Sequence, residues 1–362
     1  MGDMVSSDEV NLERRVRPSG EGIRTFIVES VAKHPKDIAS ATAAHFGITR
    51  QAVNKHLQKL AADGALLSEG NTRDKSYRLA VLSEWLRSYE ITPDLAEDQA
   101  WSRDVAPVLG KLPRNVMDIW HFSFTEIFNN AVDHSGGDKI TVEVAKTAAD
   151  TEVVLIDNGV GIFKKIQAAL NLLDERHAVL ELAKGKLTTD PTRHTGQGIF
   201  FASRLVDAFA IVSGGVDFRH EFGEEEDWIH EVSRTHEGTV VLMKLNNHSS
   251  RVDREVFEQY TSGEDYGFTK TVVPVRLAQY GEDKLISRSQ AKRLLSRVEL
   301  FRSVRFDFEG VETIGQAFAD EIFRVFARSH PEIEFVPIHA TSQVQQMINS
   351  ARARFAAEMG GV

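Results

Sequence analysis

Three short stretches of the chain carry residue types that could act together on one ligand: Glu126-x-x-x-Asn130, Asp157-x-Gly159-x-Gly161 and Gly196-x-Gly198. Glu126 and Asn130 stand at i and i+4. Asp133 or His134 follows at i+7 or i+8, so a helix would set them on one face. An acid and an amide on a helix this apolar need partners, because an unpaired buried polar group costs ~1–3 kcal/mol. A magnesium–phosphate group would supply them. Asn130 offers a neutral oxygen of the kind Mg2+ takes beside water and phosphate. Glu126 is placed to act as a base toward a water or hydroxyl next to a terminal phosphate. Asp157, at the end of an apolar run, could accept a hydrogen bond from an adenine amino group. Gly159 and Gly161 allow the backbone to turn sharply beside it. Thr195-Gly196-Gln197-Gly198 opens a helix, whose free N–H groups suit an anion. A lone Asp-x-Gly-x-Gly is usually a turn, and a lone Gly-x-Gly is weak. Taken together, the three stretches predict a site for ATP with Mg2+.

The elements that must hold these groups follow from apolar periodicity. The acid–amide helix is expected from Val116 to Ser135, with Ile119, Phe122, Phe124, Ile127, Phe128, Ala131 and Val132 as its apolar positions. Lys139–Val144 and Val153–Ile156 read as strands, and Thr239–Met243 as a late strand. Phe163 to Thr195 is polar in its second half, with Lys184, Lys186, Thr188, Thr189, Asp190, Arg193 and His194, and reads as a mobile lid. A Rossmann site would want its glycines after the first strand of a βαβ unit; here Gly196 follows the lid, so that reading fails.

This ordered set resembles the GHKL ATPase superfamily over residues 100–247. Glu126 and Asn130 match its N box, Asp157, Gly159 and Gly161 its first glycine box, and Gly196 and Gly198 its second. The resemblance implies a Bergerat-type α/β sandwich. Asn130 would hold Mg2+, Glu126 would be the catalytic base and Asp157 the adenine reader. Asp133, Thr195, Gly196 and Gly198 would lie about the phosphates, and Thr239 near the adenine. A sensor histidine kinase does not fit, since neither His34 nor His121 lies on a separate upstream dimerisation helix.

Upstream, residues 21–82 read as helix, glycine turn, helix and hairpin. Helices are expected over Gly22–Lys33, after Asp37, and over Arg50–Ala62 with Thr49 as N-cap. Strands follow around a turn-rich tip. From Lys33 to Arg78 there are eight basic residues and four acidic ones. The pattern resembles a winged helix-turn-helix. That resemblance implies double-stranded DNA as partner, with Thr49, Arg50, Gln51 and Asn54 at base edges. Lys55, His56 and Lys59 would lie nearer phosphates, and Arg73 and Lys75 on the wing.

Downstream, 248–270 is turn-rich and reads as a linker. Residues 271–356 alternate: strand Val272–Leu277, helix Arg288–Val298, strand Val304–Phe308, helix Gln316–Ser329, strand Glu334–Val336, helix Gln343–Ala356. This resembles a STAS-like domain, the fold of anti-sigma-factor antagonists. Glu312-Thr313-Ile314-Gly315 stands where that fold carries its phosphorylated serine. Thr313 is therefore a candidate phosphoacceptor, or else an N-cap.

Composition sets the outer limits. Of 362 residues, 42% are hydrophobic and 27% charged, as in ordinary globular chains. The net charge of -10 argues against a protein that coats nucleic acid throughout. With no cysteine, disulfides and thiolate chemistry are excluded. Residues 1–20 read as a disordered lead-in without a signal peptide, and no apolar run approaches the ~18 residues of a membrane span. The sequence thus predicts a multidomain α+β protein of the cytoplasm, in which a Mg-ATP site controls binding of DNA. Two alternatives stay open: a serine/threonine kinase acting on its own STAS-like domain or a protein partner, and an ATP-gated dimerisation module that forms a homodimer.

Overall fold

In the computed structural model, residues 19–71, 74–187, 196–223, 228–262, 267–279 and 284–359 are described. The chain divides into two units: residues up to Leu82 together with Thr147–Ala149, and Ser83–Lys146 with Asp150 onward.

In the first unit, α1 (Gly20–Ser30), α2 (Ile38–Phe46) and α3 (Arg50–Ala62) precede an antiparallel pair, β1 (Leu66–Glu69) and β2 (Ser76–Leu79). Gly47 ends α2 in the left-handed region at φ 64°. Thr49 then caps α3, its Oγ1 accepting from the Ala52 N–H at 3.2 Å. Asp37 makes no such cap for α2; its carboxylate lies 3.2 Å from His34 Nδ1 instead. Ile23, Ile27, Val53, Leu57 and Leu66 are fully or almost fully buried in the core of this unit.

The second unit begins with β3 (Ser83–Glu90). It forms the edge of an antiparallel sheet of order β3-β4-β5-β7-β6, with β4 Lys139–Lys146, β5 Asp150–Asp157, β6 Ala208–Glu221 and β7 Trp228–Asn246. A short helix α4 (Glu97–Ala100) runs through a π turn, Trp101–Val105, into α5 (Ala106–Leu109). The acid–amide helix α6 spans Arg114–His134. Its Trp120, Phe124 and Phe128 are completely buried.

The segment expected as a lid is largely folded. It holds α7 (Ile162–Leu170) and α8 (Glu175–Lys184), and every residue of α8 from His177 to Lys184 is buried. Only 188–195 of that segment lie outside the described residues. After it, α9 (Gly198–Leu205) stops before β6, where Val206 turns to extended backbone.

The expected linker also folds. It contains α10 (Asp253–Tyr260), β8 (Thr261–Ser262) and β9 (Gly267–Phe268). Phe257 packs edge-on against Phe201 at 4.6 Å and Phe268 lies tilted against it at 5.1 Å, and the Asn115 side chain donates to the Ser249 and Arg251 carbonyls. Aromatic residues spaced through a polar stretch pin it down.

A parallel three-stranded sheet completes the chain: β10 (Lys270–Pro274), β11 (Ser303–Asp307) and β12 (Glu334–Ile338), in that order. Pro274 ends β10, and a 3-10 turn, Val275–Ala278, replaces the rest of the expected strand. The helices between are α11 (Arg288–Leu295), and α12 (Gln316–Asp320) running through a π segment, Glu321–Phe326, into α13 (Ala327–Ser329). Last comes α14 (Ser342–Met359). A capping box of Ser287 and Gln290 starts α11. No described helix is long and apolar enough to cross a membrane.

Candidate functional site

A cavity of about 270 Å3 opens between α6, the sheet and the start of α9. Glu126, Asn130 and His134 line it from α6, Asp157 from β5, Thr239 from β7, and Gly196 and Gly198 from the far side. These three share one face of the helix, and the adjacent Ile127, Ala131 and Ser135 line the cavity beside them. Asp133, at i+7, is exposed and does not line the cavity, which corrects its placement beside a ligand. Thr195 lies outside the described residues.

Each polar group is held in a definite orientation. Asn130 Nδ2 donates to the Glu126 carbonyl one turn back, at 2.7 Å. That bond turns Oδ1 away from the helix backbone. Asp157 is buried, and its Oδ1 accepts from the Gly159 N–H at 2.9 Å and the Thr239 N–H at 3.2 Å. Both bonds fall on one oxygen. Burial pushes the Asp157 carboxyl above its usual range, against the pull of those N–H groups and the Thr239 hydroxyl. Thr239 Oγ1 in turn accepts from the Ile162 N–H at 3.0 Å, which ties the start of α7 to the sheet.

The glycines divide into two roles. Gly159 and Gly161 do not line the cavity. A side chain on Gly159 would strike the Ser135 backbone, with its Cβ 2.6 Å from the carbonyl carbon. Gly161 has φ 95°, and its Cβ would come within 2.6 Å of Ser213 Oγ. These two glycines let β5 turn under the end of α6. Gly196, at φ 68°, accepts from the Leu187 N–H at 3.0 Å and closes the base of the 188–195 segment. Gly198 sits against the Glu126 side chain.

Sequence reasoning missed Lys165, which lines the cavity and donates to the His134 carbonyl at the end of α6. Nothing in the spacing singles it out. It also missed the apolar wall of Leu155, Ile162, Ile166, Leu182, Leu187 and Val241. Such a wall suits an apolar part of a ligand, with the polar lining groups as its hydrogen-bond partners. Among the described residues no cluster of His, Asp and Glu could by itself hold a metal ion. The oxygens of Asn130 and Glu126 fit a hard cation that brings its other ligands along.

The rim of this cavity is fastened to the parallel layer. Lys184, the last residue of α8, is 1% exposed. Its Nζ donates to Glu181 Oε1 at 2.8 Å, to the Ser296 carbonyl at 2.7 Å and to the Arg293 carbonyl at 3.3 Å. Arg297 lies 3.6 Å from the other oxygen of Glu181, and Lys186 donates to the Leu300 carbonyl at 2.7 Å. Burial lowers the Lys184 pKa, opposed by the Glu181 carboxylate. Thr313 does not cap a helix; Gly315 is the N-cap residue of α12.

In the first unit, Thr49 is engaged as a helix cap. Arg50, Gln51, Asn54, Lys55 and Lys59 stand exposed on the side of α3 opposite Val53, Leu57 and Leu60. Lys75 lies over the Tyr77 ring at 5.1 Å, and Arg73 is outside the described residues. Burial, then Arg24 and Lys59, lower the His56 pKa.

Residues 290–345 match the family model of a STAS-like domain of unknown function (DUF4325), so the chain carries a STAS-like domain in its C-terminal part. No curated protein matches the chain.

Proposed function

We propose that the chain is an ATP-responsive, DNA-binding regulator. Its first unit would be a winged helix-turn-helix, its antiparallel layer a GHKL-type Mg-ATP module, and its STAS-like domain the contact for a protein partner. One observation carries the nucleotide reading: Glu126 and Asn130, Asp157, Thr239, and Gly196 and Gly198 line a single cavity. In this reading Asp157 Oδ2 accepts from the adenine amino group against the apolar wall. Asn130 Oδ1 is a ligand for Mg2+. The free N–H groups at the start of α9 face the phosphates, and Glu126 polarises a water beside the terminal phosphate. The bound nucleotide supplies the transferable phosphoryl group; the residues orient it and exclude solvent.

The exposed carboxylate-free face of α3 supports the DNA reading, because such a face can neutralise phosphates. The fastening of α8 to the STAS-like domain supports nucleotide as a control signal, since Leu182 and Leu187 of the cavity wall flank Lys184.

The test is ATP binding and turnover by the wild-type chain, Glu126→Ala and Asn130→Ala. Glu126→Ala should bind ATP and lose turnover, and Asn130→Ala should lose Mg2+-dependent affinity. Unchanged behaviour in both variants would sink the site assignment.

A further inference from the structure

Three basic groups meet at one edge of the first unit with no acid paired to them. Gly20, the first residue of α1, has no side chain, and a Cβ built there would lie 3.4 Å from Arg24 Nη1 and 3.4 Å from His56 Cε1. The guanidinium of α1 and the imidazole of α3 therefore approach the same point. Lys59 stands at i+3 from His56, on the same side of α3. Among the described residues, none of these three side chains makes a hydrogen bond or an ion pair. Helix α3 carries no carboxylate, and Glu21 and Glu29 of α1 pair with neither Arg24 nor His56.

Like charges gathered in this way repel, and His56 shows the result. Burial first, then Arg24, then Lys59, hold its imidazole below the usual histidine range. No carboxylate acts in the other direction, and α2 and β1 bring no charged group that acts on the ring. The ring is half-buried, at the border between the core residues Val53, Leu57 and Leu60 and the exposed face that carries Arg50, Asn54 and Lys55. His56 is thus mostly neutral at neutral pH, close to where an unperturbed imidazole titrates.

An anion seated among these groups removes the conflict. Phosphate oxygens accept from a guanidinium, an ammonium and an imidazolium alike, and their charge favours the protonated ring. We propose that Arg24, His56 and Lys59 seat one phosphate of a DNA backbone at the flank of α3, and that His56 takes up a proton as the phosphate arrives. The assignment rests on the DNA reading of the first unit. It adds Arg24, a residue outside α3 and the hairpin, and a proton-linked control of affinity. The sign follows from linkage. With the ring neutral in the free protein and protonated in the complex, affinity rises as pH falls between the free and bound pKa values. One proton gives at most about tenfold per pH unit, and the profile is level on either side of that window.

Fluorescence anisotropy of the full-length chain on a labelled duplex of mixed sequence, at fixed low salt and stepped pH, tests this. A phosphate contact needs no particular sequence. Wild type should bind about three- to tenfold more tightly at about pH 6 than at about pH 8. In His56→Gln most of that rise should disappear. Arg24→Gln should bind more weakly and lower the slope of log affinity against log salt by about 1. It also relieves the ring of a neighbouring charge, so its low-pH plateau should begin at a higher pH than in wild type. Calorimetry of wild type in two buffers of unlike ionisation enthalpy reads the proton uptake without any substitution. Uptake near zero, or one pH profile shared by wild type and His56→Gln, overturns the proposal and leaves the DNA reading standing. An unchanged salt slope in Arg24→Gln overturns it as well. No binding to the duplex at low salt and any pH removes the DNA reading and this site with it.

Discussion

The α-carbon of Gly198 faces the Glu126 side chain so closely that any Cβ added there would collide with it, lying 2.8 Å from the carboxyl carbon and 3.1 Å from Glu126 Cβ. The first residue of α9 therefore sets where the carboxylate of α6 can be. Gly198→Ala should push the Glu126 carboxylate out of place, at a stability cost below the roughly 1–3 kcal/mol of core overpacking, because the atoms met first are the end of a flexible side chain. Turnover should fall with it. In a Glu126→Ala background the added methyl meets less, so the stability cost should shrink by a measurable coupling energy. Chemical denaturation of the four proteins checks this; strictly additive costs would show that the two residues do not share the space.

Asp157 gives a prediction in pH. Nucleotide binding in the proposed mode needs Oδ2 unprotonated. Because burial raises the Asp157 pKa, ATP affinity should begin to fall at a higher pH than an ordinary aspartate would cause. Stability runs the other way on this group's account. A carboxyl whose folded pKa exceeds its unfolded one stabilises the fold fully below the unfolded pKa, and that contribution is lost as pH rises through the folded pKa. Asp157→Asn can still accept from the Gly159 and Thr239 N–H groups through its one oxygen, but offers an N–H where the acceptor was. It should stay folded, lose ATP affinity by about tenfold or more, and show no acid-linked fall in what remains. Calorimetric titration of both proteins across the acid range reads all three outcomes.

Much of this site was legible in the sequence because helical spacing and strand ends are local. The row Glu126, Asn130, His134 follows from 3.6 residues per turn, and Asp157 from the apolar run before it. What the sequence hid is tertiary. Lys184 and Lys186 read as solvated lid charges, yet Lys184 is buried because Glu181 and two carbonyls at the end of α11, over a hundred residues away, accept its hydrogen bonds. The polar stretch 248–262 folds because Phe257 finds Phe201. Edge strand β3 was hidden because Leu86 and Arg87 interrupt the alternation of Trp85 and Tyr89, and only pairing with β4 defines it.

Lys184 itself predicts a large effect. Lys184→Met strips Glu181 of its nearest cation and leaves the Arg293 and Ser296 carbonyls without that donor. Breaking a buried pair from one side costs about 3–5 kcal/mol. Arg297, 3.6 Å from Glu181, should hold the loss to the lower part of that range. Removing both charges, as Glu181→Leu with Lys184→Met, should recover a large part of it, since paired apolar replacement is often close to neutral. Urea unfolding of the single and double variants decides; a double variant no better than the single would mean that the carbonyl bonds, not the ion pair, hold α8.

In the first unit, a residue spent on capping α3 lies beside the exposed basic residues proposed to meet DNA. Thr49 is spent on the Ala52 N–H. Thr49→Ala should therefore lower stability by about 1 kcal/mol and leave sequence preference on DNA unchanged. Arg50, Lys55 and Lys59 are exposed and carry no comparable structural bond. Replacing Lys55 or Lys59 by alanine should leave stability near wild type and weaken DNA binding about equally for all sequences. Each should also lower the slope of log affinity against log salt by about 1, the signature of one lost phosphate contact. Arg50→Ala, at the N-terminal end of α3, should instead relax discrimination between sites by about 1–3 kcal/mol. Fluorescence anisotropy of the full-length chain on labelled duplexes over a salt series measures each quantity. If Lys55→Ala and Lys59→Ala leave both affinity and slope untouched, this face of α3 does not lie against DNA.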